Sequence, residues 1–290
     1  MIVWNNKELV EALSEELLEH NIDEALNIDE VVIDSRKTPK NGLFIALKGD
    51  NNDGHDYLAQ AFENGCCCAL IDDKKNITNQ KFILVKNTFS ALYKLAQYSR
   101  NRSEAKIIAI TGSVGKTGTK EMLKSAFLSQ GKTFATQGNL NNHIGAPLSL
   151  CNFSADYEYG IFEIGMNHLG EIEPLSKLVK PDLAVITNVG PVHIEFFKDE
   201  QEIALAKSEI FSGLKNNGIA LINADNQHFD FIKERAKSCK IKEENIISFA
   251  EKTRGTYQIL NSEIKNANDT IGIKKCFIYN FPDNRFDSVD

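Results

Sequence analysis

Apolar and polar positions along this chain follow two different periodicities. In the first part, the apolar residues between Lys7 and Leu18 recur at helical spacing, which predicts a helix. The segment Tyr57–Asn64 predicts a second helix that ends at Gly65, and Phe89–Arg100 predicts a connecting helix. Short apolar runs between turn residues predict strands at Val31–Ile33, Leu43–Leu47, Cys68–Ile71 and Phe82–Val85.

From Lys106 onward, strand-like and helix-like segments alternate regularly. The predicted strands are Ile107–Thr111, Thr133–Thr136, Gly160–Ile164, Leu183–Thr187, Ile219–Ile222 and Ile246–Phe249. The predicted helices are Thr117–Leu128, Ile144–Asn152, Glu171–Val179, Glu200–Leu214 and Gln227–Cys239. Repeated βα units with apolar strands predict a doubly wound, mostly parallel sheet, and such sheets bind ligands at the carboxyl ends of their strands.

This alternation ends near Thr256, and the remaining segment is rich in Asn and Asp. Its one apolar run, Cys276–Tyr279, predicts a strand or two. We therefore predict an α/β protein with a small N-terminal α/β domain over residues 1–87. A doubly wound central domain with its linker helix follows over residues 88–258, and a divergent tail covers residues 259–290. The tail is too short for a further domain.

Composition narrows the class of protein. Apolar residues make up 42% of the chain, which is enough to bury a sizeable core, and the net charge of -7 argues against nucleic-acid binding. The N-terminal residues lack a signal-peptide pattern, and no apolar stretch approaches a membrane span. The six cysteines include no C-x-x-C pair, which favours reduced thiols. We therefore expect a cytoplasmic protein without a membrane partner.

The strongest chemical signal is a glycine-containing loop between a predicted buried strand and an amphipathic helix. This context is typical of a phosphate-binding loop, in which backbone N–H groups and the helix N-terminus face the phosphates. The first glycine stands at 112 rather than at 110, so the motif is the shorter G-x-x-G-K-T. An incidental turn remains the alternative. The predicted nucleotide-binding residues are Gly112, Ser113, Val114, Gly115, Lys116, Thr117 and Gly118.

Three further polar residues follow later elements of the predicted sheet. Glu163 at a strand end is as consistent with a helix cap or salt bridge as with an Mg²⁺ ligand. His193 lies in a loop, and Lys207 lies on a helix, where each is ordinarily a surface residue. None of the three indicates a site by itself. Their order after the phosphate loop makes a shared site the better hypothesis.

Together these motifs resemble the Mur ligase family, the ATP-dependent peptide ligases of cell-wall precursor synthesis. Within it they are most similar to the branch that adds D-alanyl-D-alanine (D-Ala-D-Ala) to the UDP-MurNAc-tripeptide. The similarity covers about residues 1–250 and is carried by Asp34–Arg36, Gly42–Gly49, Asp53–Tyr57, Thr111–Thr117, Gly138–Asn142, Glu163–Ile172, Lys180–Asp182, Thr187–His193, Ala206–Phe211 and Asn223–Asp225.

The resemblance implies ATP and Mg²⁺ as cofactors and assigns roles to matching positions. Lys116 and the loop amides would hold the ATP phosphates, and Thr117 and Glu163 would bind a first Mg²⁺. His193 would bind a second, with Lys207 as the candidate for the N-carboxylated lysine of relatives. Lys116, His193 and Lys207 are thus the implied catalytic residues.

The resemblance also implies substrate contacts. The UDP-sugar would meet the first domain, and Asn139 and Asn142 would lie where the γ-phosphate meets the acceptor. The implied reaction passes through an acyl phosphate of the tripeptide, which the amine of D-Ala-D-Ala then attacks. The implied UDP-binding residues are Ser35, Arg36, Lys48, Asp53 and His55.

Two departures from the family pattern leave alternatives open. Gly118 stands where the family usually has Ser or Thr, and nothing after Thr256 matches the third, Rossmann-like domain of the family. We therefore expect that domain to be absent, or supplied by a separate chain, and the tail to have a different origin, such as another reading frame. The alternatives are an inactive remnant that binds UDP-precursor or ATP, or a sister ligase that adds a diamino acid or acts on folate polyglutamates.

Overall fold

The computed structural model describes residues 2–192, 194–253, 255–258, 276–280 and 285–289. Within these residues the chain forms an α/β structure with one five-stranded and one seven-stranded sheet, both mainly parallel. The α/β class predicted from the sequence is confirmed. No helix in the described part of the chain is both long enough and apolar enough to cross a membrane.

The elements are as follows. The strands are β1 (Trp4–Asn5), β2 (Leu17–His20), β3 (Asn27–Ile28), β4 (Glu30–Val32), β5 (Gly42–Ile45), β6 (Cys66–Ile71), β7 (Phe82–Val85), β8 (Lys106–Thr111), β9 (Thr133–Ala135), β10 (Tyr159–Glu163), β11 (Leu183–Ile186), β12 (Ile219–Asn223), β13 (Ile246–Ala250), β14 (Tyr257–Gln258), β15 (Cys276–Asn280) and β16 (Arg285–Val289). The α-helices are α1 (Asn6–Ala12), α2 (Leu58–Glu63), α3 (Thr88–Asn101), α4 (Lys116–Leu128), α5 (Gly145–Cys151), α6 (Ile172–Val179), α7 (Glu200–Ser208) and α8 (Phe229–Ser238). Short 3₁₀ helices cover Ser35–Lys37, Gly54–Tyr57, Ile194–Phe196, Glu209–Gly213 and Glu243–Asn245.

The smaller sheet has the strand order β2-β7-β6-β5-β4, and only the β2–β7 pair is antiparallel. The helix predicted for Lys7–Leu18 is wrong in its second half. Helix α1 ends at Ala12, and Leu17–His20 instead forms an edge strand on β7. The apolar spacing continues through the whole segment, but hydrogen bonds at the sheet edge outweigh helical propensity there.

The larger sheet has the order β14-β13-β12-β11-β8-β10-β9, with every described pairing parallel. After β8 the chain fills one side with β9 and β10 and then crosses to β11 on the other side. The carboxyl end of β8 is therefore a topological switch point, where open α/β sheets bind ligands. Alternation along β8 places Ile107 and Ala109 in one apolar core and Ile108 and Ile110 in another.

The two sheets share the larger core, which extends from Trp4 and Leu9 to the central strands. Hydrogen bonds also link the N-terminal strands β1 and β4 to the end of α5. The Trp4 indole Nε1 donates to the Cys151 carbonyl at 2.8 Å, and the Asn152 side chain bonds both the backbone N–H and C=O of Val31 at 2.7 and 2.8 Å. These contacts hold Trp4 of β1 and Val31 of β4 against the C-terminal end of α5.

Two other predictions change in detail, and a third is confirmed. The helix predicted for Glu200–Leu214 becomes α7, which ends at Ser208, followed by the 3₁₀ helix Glu209–Gly213. The amphipathic pattern of the predicted helix Thr117–Leu128 places Met122 on its inward face, but in α4 this side chain is exposed. The predicted strand at Cys276–Tyr279 is confirmed as β15, which pairs antiparallel with β16.

Candidate phosphate-binding site

The predicted phosphate loop joins β8 to α4 at the switch point of the larger sheet. Gly112 has a φ of +152° and Gly115 a φ of +87°, in the region that favours glycine. A Cβ atom at Gly112 would also overlap the Thr187 hydroxyl. The chain needs glycine at 112 for both conformation and space, and the strand–loop–helix context of a phosphate loop is present.

The loop is held by the segment that follows β11. The Ser113 N–H donates to the Asn188 carbonyl at 2.8 Å, and the Ser113 hydroxyl donates to the Gly190 carbonyl at 2.9 Å. The Thr187 hydroxyl donates to the Val114 carbonyl at 2.6 Å. The side chain of Ser113 is thus engaged with the protein, while Val114 is exposed.

Lys116, Thr117 and Glu163 converge beside this loop. The Lys116 Nζ donates to the Gly112 carbonyl at 2.7 Å, and the Thr117 hydroxyl donates to Glu163 Oε2 at 3.0 Å. Glu163 is only 2% exposed at the end of β10. Burial lowers the pKa of Lys116, and the charge of Glu163 partly opposes that effect. Gly118, by contrast, is exposed with no neighbour within 4 Å of its Cβ position.

The oxygen pair of Thr117 and Glu163 fits one divalent cation. Two adjacent ligands of an octahedral Mg²⁺, each about 2.1 Å from the metal, lie about 2.9 Å apart. The observed separation of 3.0 Å agrees with that geometry. No group of three His, Cys, Asp or Glu side chains that could hold a metal forms among the described residues. The pair offers two oxygen atoms, the ligand type that Mg²⁺ prefers, and waters and substrate phosphates usually supply its other ligands.

The resemblance also implies His193 and Lys207 as metal ligands. His193 lies outside the described residues. Lys207 on α7 is 4% exposed. Burial, together with the nearby charge of Lys116, lowers the pKa of Lys207 to about 7. Near neutral pH, a sizeable fraction of this amine is therefore uncharged.

Two residues that the sequence analysis missed also contact Glu163. Lys120 on α4 is fully buried, with its Nζ 3.9 Å from Glu163 Oε2. The Asn141 Nδ2 donates to Glu163 Oε1 at 2.8 Å. The positions of both residues in the sequence could have indicated this. Lys120 follows Lys116 by one helical turn, and Asn141 lies between the predicted Asn139 and Asn142.

Those two predicted residues, Asn139 and Asn142, lie in the same loop and are exposed. The Asn142 Oδ1 accepts the N–H groups of Ile144 and Gly145 at the start of α5, at 3.2 and 2.8 Å. Asn142 therefore has a local role in capping the helix, which leaves its amide nitrogen for a ligand. Asn139 has no side-chain hydrogen bond among the described residues.

The predicted UDP-binding residues lie at the carboxyl end of β4 and β5 and are largely used by their neighbours. The Ser35 hydroxyl donates to Gln60 Oε1 at 2.6 Å, and the exposed guanidinium of Arg36 pairs with Asp34 at 2.9 Å. That pair holds the pKa of the Asp34 carboxyl at about 2. Lys48 is exposed, and its backbone bridges to that of Asp53.

His55 is 2% exposed and has both ring nitrogens engaged. Its Nδ1 lies 2.6 Å from Asp53 Oδ1, and its Nε2 lies 3.2 Å from the backbone N–H of Asp72. The ring also lies between two carboxylates, because the Asp72 Oδ1 is 3.3 Å from Nε2 on the side opposite Asp53. In this structure His55 therefore organises the loop, and a direct ligand contact stays a prediction.

Comparison with known proteins agrees with this architecture. The model of the Mur ligase middle domain matches residues 110–282, and that of the Mur ligase family catalytic domain matches residues 27–109. The UDP-N-acetylmuramoyl-tripeptide–D-alanyl-D-alanine ligase of Rickettsia prowazekii is 43% identical over 260 residues, covering 89% of this chain and 56% of that protein. The ligase of the same name from Escherichia coli is 43% identical over 202 residues, covering 69% and 44%.

Solved structures give the same picture. A crystal structure of MurF from Acinetobacter baumannii aligns with a TM-score of 0.79 at 34% identity, over 90% of this chain and 55% of that one. MurF from Thermotoga maritima in complex with ADP aligns at 0.66 and 30% identity, over 78% and 51%. The chain spans about half the length of the curated relatives it matches. Because the middle-domain model alone matches more than half of its residues, the chain belongs to the Mur ligase family.

Proposed function

We propose that this chain acts in the ATP-dependent ligation of D-Ala-D-Ala to a UDP-MurNAc-tripeptide, a step of peptidoglycan precursor synthesis. The observation that carries the proposal is the convergence of Lys116, Thr117 and Glu163 on a glycine loop at a sheet switch point. The proposed specificity for D-Ala-D-Ala is supported by the 43% identity to two proteins named UDP-N-acetylmuramoyl-tripeptide–D-alanyl-D-alanine ligase. Residues 1–87 would bind the UDP-precursor, and residues 88–258 would bind ATP.

In the proposed reaction, a terminal carboxylate oxygen of the tripeptide attacks the γ-phosphorus of ATP, and ADP leaves. The amine of D-Ala-D-Ala then attacks the acyl-phosphate carbonyl, loses a proton, and inorganic phosphate leaves as the peptide bond forms. The ammonium of Lys116 and the N–H groups of Gly115 to Gly118 would neutralise and orient the phosphates. Asn139 and Asn142 would lie on the acceptor side.

Thr117 and Glu163 would hold a first Mg²⁺, which supplies charge neutralisation on the phosphates when it is bound. His193 would contribute to a second metal site. Lys207 is the candidate for N-carboxylation, since its burial favours the uncharged amine that this modification requires. ¹³C NMR of the protein in ¹³C-labelled bicarbonate would show a carbamate signal that Lys207→Met lacks.

In the first domain, Ser35, Arg36, Lys48, Asp53 and His55 remain the proposed UDP-precursor site. Arg36 and Lys48 are the side chains best placed to meet a diphosphate, because both are exposed, although Arg36 is paired with Asp34, whereas Ser35 and His55 are buried. Titration of UDP-MurNAc-tripeptide into the wild-type chain and into Arg36→Ala tests this part separately from ATP binding.

The decisive experiment measures phosphate release with UDP-MurNAc-tripeptide, ATP, Mg²⁺ and D-Ala-D-Ala, using Lys116→Ala as the control. Release that requires D-Ala-D-Ala supports the proposal, and release with a diamino acid instead would identify a sister ligase. Mg²⁺-dependent nucleotide binding without release would favour a binding protein or inactive remnant. Repeating the assay with a polypeptide covering the C-terminal half of a relative tests whether a separate chain completes the enzyme.

A further inference from the structure

Lys120 is a fully buried cation that the proposed reaction does not use. It lies on α4, one turn after Lys116, and its side chain is 1% exposed. Lysine is almost never buried to this degree unless its charge is paired. A buried ion pair is also seldom more stable than a well-packed apolar replacement, so stability alone gives little reason for an ammonium at this position.

The surroundings of the Lys120 ammonium point to the metal-binding side of the site. Its Nζ donates to the Gly138 carbonyl at 3.3 Å, lies 3.2 Å from Glu121 Oε1 and lies 3.9 Å from Glu163 Oε2. Gly138 has a φ of +53° in the loop between β9 and α5, residues 136–144, called here the β9–α5 loop.

The same loop reaches Glu163 by a second route. Asn141 donates from Nδ2 to Glu163 Oε1 at 2.8 Å, and its carbonyl accepts the Gly165 N–H at 2.8 Å. Glu163 Oε2 is left to the Thr117 hydroxyl and to the charge of Lys120. The carboxylate is therefore held from both sides, by an amide on one oxygen and a buried cation near the other.

We propose that Lys120 is a positioning residue: its ammonium holds the β9–α5 loop against Glu163 and so orients the carboxylate toward Thr117. It acts through Glu163 and not by touching the nucleotide. This inference rests on the proposed function in one respect, namely that Thr117 and Glu163 bind Mg²⁺ together with a nucleotide. Residues that orient a metal ligand in this way influence metal affinity without contacting the metal.

The test is a double-mutant cycle on the full chain. Binding of a non-hydrolysable ATP analogue is measured calorimetrically over a series of Mg²⁺ concentrations. We expect Lys120→Met to raise the Mg²⁺ concentration needed for half-maximal binding by about tenfold. In a Glu163→Gln background the same substitution should have almost no effect, because the carboxylate it positions is gone. An equal effect in both backgrounds, or none in either, would overturn the proposal.

Lys124→Met is the matched control, since Lys124 lies one turn further along α4 and makes no ion pair with a described residue. It should leave the Mg²⁺ requirement unchanged. If Lys120→Met fails to fold in a thermal melt, Lys120→Gln replaces it, because its shorter, uncharged side chain removes the ammonium while keeping a polar group at this position. Lys120→Gln should show the same non-additivity with Glu163→Gln.

Amide hydrogen exchange, measured without nucleotide, tests the role of Lys120 independently of the proposed function. Lys120→Met should speed amide exchange in the β9–α5 loop, where the Leu140 N–H bonds the Gln137 carbonyl at 3.2 Å, while Lys124→Met should not. Unchanged exchange would show that Lys120 does not hold the loop. A wild-type chain that binds no nucleotide with Mg²⁺ would instead overturn the proposed function, and the exchange result would still decide the role of Lys120.

Discussion

The two candidate ligand regions of this protein use polar side chains in opposite ways. At the edge of the larger sheet, four ionisable side chains lie close together and are buried or half-buried. They are Lys116, Lys120, Lys207 and Glu163. At the edge of the smaller sheet, Ser35, Arg36 and His55 are each satisfied by a protein neighbour.

The meaning of a polar motif depends on whether its side chains already have protein partners. Burying a charge without full compensation is costly, so a cluster of such charges indicates a ligand that completes it. A polar side chain whose partners are all local mainly shapes the loop it belongs to. By this measure we infer that the charged residues at the edge of the larger sheet bind a ligand, whereas the polar residues at the edge of the smaller sheet mainly shape their own loops. The following predictions test that contrast.

Lys116→Ala should have the largest effect. Removing the cation that faces the phosphates should weaken Mg²⁺–ATP binding by about 100-fold or more, as expected for the loss of one electrostatic donor. Calorimetric titration measures this change, with Lys124→Ala as the control from the same helix. An affinity within a factor of about two of wild type would mean that the loop does not bind phosphate as inferred.

His55→Ala should mainly reduce stability. The substitution leaves Asp53 and the Asp72 backbone without their partner and opens a cavity, which should lower the free energy of unfolding by about 2–3 kcal/mol. Chemical denaturation measures it, and ATP affinity should not change. A stable variant that had lost UDP-precursor binding would contradict the contrast, because His55 would then be a ligand contact and not scaffold.

Lys207→Met should change how stability depends on pH. Burial holds the pKa of Lys207 at about 7 in the folded chain, while the unfolded chain keeps the ordinary value of 10.5. Between these values only the unfolded state binds the proton, so raising the pH stabilises the wild type. From pH 7 to pH 9 the gain relative to Lys207→Met should be about 2 kcal/mol. Denaturation curves that shift in parallel for both proteins would show that the amine is not desolvated.

Gly118→Ala should have the smallest effect and should be favourable. No atom lies within 4 Å of the added Cβ, and Gly118 does not have a positive φ, so the change should stabilise α4 by about 0.5 kcal/mol. Gly112→Ala is the opposing case on the same loop, because its Cβ would overlap the Thr187 hydroxyl. Thermal unfolding compares the two, and equal destabilisation by both would show that the loop geometry is wrong.

Much of this molecule follows from periodicity and motif spacing. The parallel β-strands after Lys106 and the phosphate loop are apparent because each depends on residues adjacent in sequence. The boundary error in the first helix has a non-local cause. The segment after Ala12 leaves the helix because β7 offers it hydrogen bonds, and β7 lies more than 60 residues away in sequence. No local pattern contains that information.

The same distinction between local sequence and long-range packing applies to the candidate site. Sequence alone determined the α/β class, the family and the glycine loop, since these depend on residue type at fixed spacing. The contacts of Lys120 and Asn141 with Glu163, and of His55 with its own loop, became visible only in the folded chain. Burial and charge pairing depend on which elements pack together across the sheet edge, and that packing sets the cost of each buried charge.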